Sequence, residues 1–367
     1  NRKLMKVPFI DFDYELDSFK NNFESLLTEH IKKGEFIGGE SVNIFEENLR
    51  NYLNAEHVVT VGNGTDALLI SLLSLNLQKK EVLVPSFSFF ATSEAIVQAG
   101  LIPIFVDIDR TNCNIDVTRI EEKITSNTGA ILPVHLFGNS ANMDEILKIA
   151  KKYDLKIVED VAQAFGSNHK NKKLGTIGDL GCFSFFPTKT LGAYGDAGAI
   201  ATNNSNFAEQ ARMYKNHGAK TKYFNEVFGF NSRLDSIQAS VLDLKLQNID
   251  KWIEKRISSG KYYDRNFENQ DGLSILDNNN STFNYYSILV SNGKRDKLKD
   301  YLSSKEIAVA IYYPKTLPSL PVHNIEESFP VAEKVCDEIL SLPIWPGIKE
   351  EQLDYVVKSI NEFFNQN

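Results

Sequence analysis

Two kinds of apolar pattern alternate along the first two thirds of this chain, and that alternation constrains the fold most. Short, nearly continuous apolar runs fall at Val58–Gly62, Glu81–Pro85, Ile102–Asp107, Ala130–Leu136, Lys156–Asp160, Gly181–Phe186 and Gly198–Thr202. Between them lie amphipathic stretches of helical spacing, among them Thr65–Leu75, Ala91–Ala99, Met143–Tyr153 and Asn206–Lys215. A run apolar at successive positions suits a strand covered on both faces. Strands that alternate with helices predict an α/β layer in which the helices are the crossovers.

The pattern changes near residue 250. Asp235–Leu246 and Ile249–Phe267 read as successive helices, followed by a polar loop at Asp277–Ser281. A strand at Phe283–Val290, a helix at Lys294–Ser304, a strand at Ile307–Tyr313 and helices at Pro330–Leu340 and Glu350–Phe364 complete the chain. The expected division is an N-terminal arm with a first helix (1–40), a large α/β domain (41–248) and a smaller α+β domain (249–367). The arm ends in Gly34-Glu35-Phe36-Ile37-Gly38-Gly39, whose glycines predict a bend with unusual dihedrals.

Charge and cysteine content narrow the function. A net charge of -8 over 367 residues lacks the basic footprint of a nucleic-acid binder. Cys113, Cys182 and Cys336 are far apart in sequence and odd in number, which fits neither a disulfide framework nor a structural zinc site. No stretch reads as a secretory leader, and no apolar run reaches the ~18 residues that span a bilayer. A cytoplasmic protein that meets neither membrane nor nucleic acid is expected.

Four segments are candidates for chemistry. Gly62-Asn63-Gly64-Thr65-Asp66-Ala67-Leu68 follows a strand and opens a helix. Such a turn aims free backbone N–H groups and the positive end of the helix dipole at one spot, which suits a phosphate. It matches neither a Walker loop nor a G-x-G-x-x-G fingerprint, and a tight turn capped by Asn63 or Thr65 explains it equally well. Glu159-Asp160-Val161-Ala162-Gln163 closes a buried strand, and ligands of open α/β sheets sit beyond the carboxyl ends of strands. Asp160 there suits a cationic ring nitrogen and Gln163 a phenolic oxygen, although Asp160 also suits a turn cap. In Cys182–Gly192, Lys189 follows Pro187 among apolar and small residues, surroundings that favour the amine, the form that makes Schiff bases. Ser184 in the same segment is a further phosphate ligand. In Pro85–Thr92, an aromatic residue is placed to stack on a heteroaromatic ring, or to fill the core.

Together these blocks resemble the DegT/DnrJ/EryC1/StrS family of pyridoxal-phosphate (PLP) dependent sugar aminotransferases, of fold-type I. The likeness continues through Phe105–Asp109, Pro133–Gly138, Asn216–Gly218, Gly229–Leu234, Tyr313-Pro314 and Leu340–Pro343. It implies an α/β fold with a mostly parallel seven-stranded sheet, flanking helices and a smaller α+β C-terminal domain. It implies that Lys189 binds PLP and then shuttles protons, that Asp160 holds the pyridine nitrogen, that Gln163 meets the ring oxygen and that Phe89 stacks on the ring. Gly64, Thr65 and Ser184 would bind the phosphate, and Asn231 would reach it from the neighbouring subunit, so that a homodimer shares its active sites. Phe36, Tyr194, Tyr223, Arg233, Tyr312 and Tyr313 are the substrate-side candidates. No metal is expected.

The resemblance also implies the reaction. L-Glutamate gives its amino group to the cofactor, leaving pyridoxamine phosphate, and a nucleotide-linked keto sugar takes the group up. Relatives with histidine in place of Lys189 deoxygenate sugars instead. The run Leu191–Gly198 resembles members that aminate C3 of a dTDP-3-keto-6-deoxyhexose, for surface glycan synthesis. Amination at C4 and a UDP-linked 3-keto substrate are the alternatives. The chain departs from many relatives at Ile311-Tyr312-Tyr313-Pro314 and at Phe224-Asn225, both near the sugar site. A non-catalytic PLP-binding sensor is the competing reading from another class, and the acidic charge counts against it.

Overall fold

The computed structural model describes residues 4–366, without the side chains of Asn21 and Gln366. Helices α1 (Asp13–Lys33) and α2 (Glu40–Leu53) precede the sheet. Gly34 ends α1 in the left-handed region, and Gly38 and Gly39 hold positive φ before α2, so the glycine-rich bend is real. The chain then runs β1 (His57–Val61), α3 (Gly64–Ser74), β2 (Glu81–Pro85), α4 (Ala91–Gln98), β3 (Ile102–Val106), β4 (Thr128–Ile131), α5 (Met143–Tyr153), β5 (Lys156–Asp160), β6 (Leu180–Ser184), β7 (Gly198–Thr202) and α6 (Ser205–Tyr214).

These seven strands form one sheet in the order β1-β7-β6-β5-β4-β2-β3. All neighbours are parallel except β7, which runs against both β1 and β6. Alternate residues face opposite layers. Val82 and Val84 join a core with α3 and α4, whereas Leu83 joins Ile131, Met143 and Ile146 on the α5 side. Both faces are therefore covered, which is why the strands read as unbroken apolar runs.

After α7 (Ser236–Leu246) and α8 (Ile249–Phe267) come β8 (Leu273–Ile275), β9 (Tyr286–Val290), α9 (Arg295–Ser304), α10 (Pro330–Glu338), β10 (Ile339–Leu342) and α11 (Glu350–Gln366). Strands β8, β9 and β10 make an antiparallel sheet in that order. Its residues Tyr286, Ile288, Leu340 and Leu342 pack with Tyr263, Trp345, Val356 and Ile360.

Two expectations fail here. Ile307–Tyr313 forms no strand: only Ile307 with Val7 and Ala310 with Ser341 make isolated bridges. The segment wedges between the N-terminal arm and β10 and has no continuous partner. The helix from Pro330 stops at Glu338, because Ile339–Leu342 pairs with β9 and is buried throughout. No helix among the described residues is long and apolar enough to cross a membrane.

Candidate active site

The carboxyl ends of β1, β2, β5 and β6 bring the expected residues to one edge of the sheet. Asp160 ends β5, and the strand's alternation sends it and Glu159 to opposite faces. Glu159 is fully buried and accepts from the amides of Gly175, Ile177 and Gly178 and from His135 Nε2. Ala141 donates to His135 Nδ1 at 3.0 Å, which leaves Nε2 as the nitrogen that donates to Glu159. Burial opposes ionisation of Glu159, but the His135 contact and the backbone donors outweigh it and hold the carboxyl below its usual range. This pair pins the strand end and does not face the cleft chemistry.

Asp160 is also buried, at 4% exposure, but it has no such cage. The Thr92 hydroxyl donates to Oδ2 at 2.9 Å and the Ala162 amide to Oδ1 at 3.1 Å. Burial keeps its carboxyl above the usual range, against these hydrogen bonds and the charge of Lys189. A buried carboxylate so placed would gain most from a cationic hydrogen-bond donor. Ser88 and Thr92 hydroxyls lie 2.8 Å apart behind it, four residues apart at the start of α4.

Lys189 lies in the turn after β6, partly buried. Burial pulls its amine down to about 8, while the Asp160 carboxylate pulls it back up. The ammonium is thus easily discharged near neutral pH, as carbonyl attack requires. Its Nζ stands 5.8 Å from the centre of the Tyr285 ring. Tyr285, Tyr312, Tyr313 and Phe89 follow one another as an aromatic wall, with centroids 4.6, 5.6 and 5.9 Å apart. Phe89 leaves 56% of its surface exposed, which is unusual for a phenylalanine and leaves a ring face open for stacking. Gln163 is fixed at both ends: Phe137 donates its amide to Oε1 at 3.1 Å, and Nε2 donates to the Tyr313 hydroxyl at 2.8 Å.

At the amino end of α3, Asn63 caps the Asp66 amide at 2.8 Å and its carbonyl takes the Ala67 amide at 3.1 Å. That leaves the Gly64 and Thr65 amides without a partner among the described residues. Gly64 is pressed against Ser184: a Cβ on it would meet the Ser184 Cβ at 2.5 Å. Two free amides, the Ser184 hydroxyl and a helix dipole thus converge on one spot.

This set of groups fits PLP. The free amides suit a phosphate, Asp160 a protonated ring nitrogen, Lys189 an aldehyde and Phe89 the ring face. The substrate-side candidates divide. Tyr312 and Tyr313 belong to the wall. Tyr194 does not: its ring lies under Lys245 Nζ at 4.0 Å and edge-on to Phe23, and Lys245 pairs with Glu15, so Tyr194 ties the loop after Lys189 to α1 and α7. Phe36, Tyr223, Asn231 and Arg233 are exposed, and among the described residues none of them hydrogen-bonds to the groups above. Phe36 pairs through its carbonyl with the Ser236 amide at 2.9 Å. Asn231 precedes Ser232, which accepts from the Gly62 amide at 2.9 Å and donates to Asp66 at 2.6 Å. Thr92 and Tyr285 escaped the sequence reading. Hydroxyls at Ser88 and Thr92 with helical spacing were a usable signal, but nothing local marked Tyr285.

The sequence profile of the DegT/DnrJ/EryC1/StrS aminotransferase family matches residues 17–361. The chain is 40% identical to the pleiotropic regulatory protein of Geobacillus stearothermophilus, over 98% of this chain and 99% of that one. It is 35% identical to the dTDP-3-amino-3,6-dideoxy-alpha-D-galactopyranose transaminase of Aneurinibacillus thermoaerophilus, over 97% and 99% of the two chains. The solved structure of NtdA from Bacillus subtilis with bound cofactor PMP superposes with a TM-score of 0.93 at 30% identity, covering 100% of this chain and 87% of that one. Other relatives at 32–34% identity are named for UDP- and GDP-linked sugars. Profile, fold and site geometry agree: this chain is a PLP-dependent aminotransferase of the DegT/DnrJ/EryC1/StrS family.

Proposed function

We propose that the enzyme moves an amino group from L-glutamate to C3 of a dTDP-linked 3-keto-6-deoxyhexose, giving a 3-amino-3,6-dideoxy sugar for surface glycans. The observation that carries the amino-transfer reading is the partly buried Lys189 of the turn after β6, set at the same sheet edge as the buried Asp160 carboxylate and the Gly64–Ser184 cradle. Position and nucleotide are supported by the likeness of Leu191–Gly198 to C3-aminating enzymes and by the similarity to the Aneurinibacillus transaminase.

When bound, PLP supplies an electron sink for the α-carbon of the amino acid. The chain supplies the rest. Gly64, Thr65 and Ser184 hold the phosphate. Asp160, kept in place by Thr92 and Ala162, retains the proton on the ring nitrogen. Gln163, fixed by Phe137 and Tyr313, presents its amide to the ring oxygen. Phe89 covers one face. Lys189 would hold the cofactor, and its Nζ would carry the proton to and from the substrate carbon, a task suited to an amine near 8.

In the same reading two copies share their sites. Tyr223, Phe224 and Phe228 leave 88%, 67% and 102% of their surfaces exposed around a short hairpin. Such aromatic exposure suits burial against a second copy, with Asn231 and Arg233 serving the partner's site. We place the enzyme in the cytoplasm, where nucleotide sugars are made.

The test is turnover of L-glutamate with dTDP-linked 3-keto- and 4-keto-6-deoxyhexoses, each followed by 2-oxoglutarate release. Turnover with the 3-keto sugar alone is expected. Turnover with the 4-keto sugar alone overturns the position assignment, and preference for a UDP-linked 3-keto sugar overturns the nucleotide.

A further inference from the structure

Lys189 stands between two threonines, and both face two consecutive residues from the C-terminal part of the chain: Thr190 is hydrogen-bonded to Asn284 and Thr188 lies near Tyr285. The Thr190 amide donates to Asn284 Oδ1 at 3.1 Å, and the Thr190 hydroxyl lies 3.3 Å from the same oxygen. The Tyr285 hydroxyl lies near that of Thr188, and the Tyr285 ring packs on the Tyr312 ring at 4.6 Å. Asn284 is 1% exposed and Tyr285 7%. The Asn284 amide cannot be flipped, because its oxygen faces a backbone N–H. Its Nδ2 is therefore a buried donor with no partner among the described residues, a cost that packing alone does not require. An apolar residue of the same volume would fill the space without it.

We propose that Asn284 and Tyr285 are positioning residues for Lys189: they clamp the turn on both sides of the lysine from the unit that also carries Tyr312 and Tyr313. Asn284 fixes the backbone just after Lys189, and Tyr285 packs beside the residue just before it while walling the amine at 5.8 Å. The clamp sets where Nζ meets both cofactor and substrate, and it links the aromatic wall to the lysine turn. It rests on the reading that Lys189 holds the cofactor.

The test uses PLP-loaded full-length enzyme, wild type and the variants Asn284→Ala, Asn284→Asp and Tyr285→Phe. Borohydride reduction and peptide mass spectrometry first locate the covalently held cofactor. If wild type traps it elsewhere than Lys189, the underlying reading fails, whatever the clamp does. With attachment at Lys189, two quantities decide the clamp: the pH midpoint of the visible absorption of the bound cofactor, and the rate of the L-glutamate half-reaction. Asn284→Ala is expected to bind cofactor in full, to shift the midpoint and to slow the half-reaction about ten- to a hundredfold, the scale of a misplaced reacting group. Its KM for L-glutamate should hold. Asn284→Asp keeps the acceptor for the Thr190 amide and should recover most of the rate. Tyr285→Phe keeps the ring, loses only the hydroxyl and should move the midpoint in its own right, which decides the matter if Asn284→Ala does not fold. Unchanged midpoint and rate in Asn284→Ala, or in Tyr285→Phe if that is the folded variant, overturn the proposal.

Discussion

Gly64→Ala tests the phosphate cradle through a single methyl group. The φ of Gly64 lies outside the left-handed region, so backbone freedom is not at issue; space is. The new Cβ would stand 2.5 Å from the Ser184 Cβ, 3.0 Å from its Oγ and 3.2 Å from its Cα, and ordinary contact begins near 3.4 Å. The start of α3 and the end of β6 must therefore part by the difference between 2.5 and 3.4 Å, roughly 0.9 Å. The Ser184 Cα is main chain, so a rotamer change cannot supply that movement. Overpacking of this kind costs about 1–3 kcal/mol of stability, partly offset by the better helix propensity of alanine, about 1 kcal/mol. The larger effect falls on the cofactor. Parting the two elements pulls the Gly64 and Thr65 amides away from the Ser184 hydroxyl, so a phosphate cannot satisfy both sides. One charge-assisted hydrogen bond lost there is worth about 1.5–3 kcal/mol, a ten- to hundredfold weaker PLP affinity. The assay is titration of cofactor-free protein with PLP by absorbance, with thermal unfolding with and without PLP as a second readout. Affinity indistinguishable from wild type, with the same PLP-induced rise in Tm, would refute the placement of the phosphate.

Other outcomes follow from the same geometry. The Lys189 amine has an ordinary value of 10.5 and falls to about 8 in the fold, so the unfolded chain binds more protons between those values. Stability of the cofactor-free protein should therefore rise across that window relative to Lys189→Met, measured by urea unfolding at several pH values; parallel profiles contradict the buried amine. Glu159→Gln turns an acceptor of four donors into an amide that must face some of them with its own N–H groups. It should cost about 3 kcal/mol or more in urea unfolding, and a loss below that of a surface mutant would show the cage is not structural. Phe228→Asp should shift a homodimer toward monomer in sedimentation, and an unchanged mass would remove this hairpin from the interface.

The sequence made the large sheet legible because most of its strands are covered on both faces, so burial wrote itself into unbroken apolar runs. It also made the strand ends legible: Asp160, Ser184 and the Gly62–Thr65 turn stand where ligands of such sheets bind. The C-terminal part was harder. Ile307–Tyr313 has the residues of a strand but only two isolated bridges, since a strand needs a neighbour that local pattern does not reveal. Ile339 and Leu340 read as the end of a helix because they extend the period of α10, yet pairing of Ile339–Leu342 with β9 wins. Thr92 left a local trace in its spacing from Ser88, but its Asp160 partner lies 68 residues away; Asn284 left none, because its partner lies 94 residues away, and nothing local marked Tyr285. Tyr194 shows the converse: a position with a family meaning whose side chain packs on Lys245 and Phe23.

The most direct test of the central claim needs no sugar. PLP-loaded enzyme mixed with L-glutamate should release one 2-oxoglutarate per active site and then stop, and Lys189→Ala loaded with PLP should release none on the same timescale. A wild type that releases no 2-oxoglutarate, or a Lys189→Ala variant that matches it, would contradict the account.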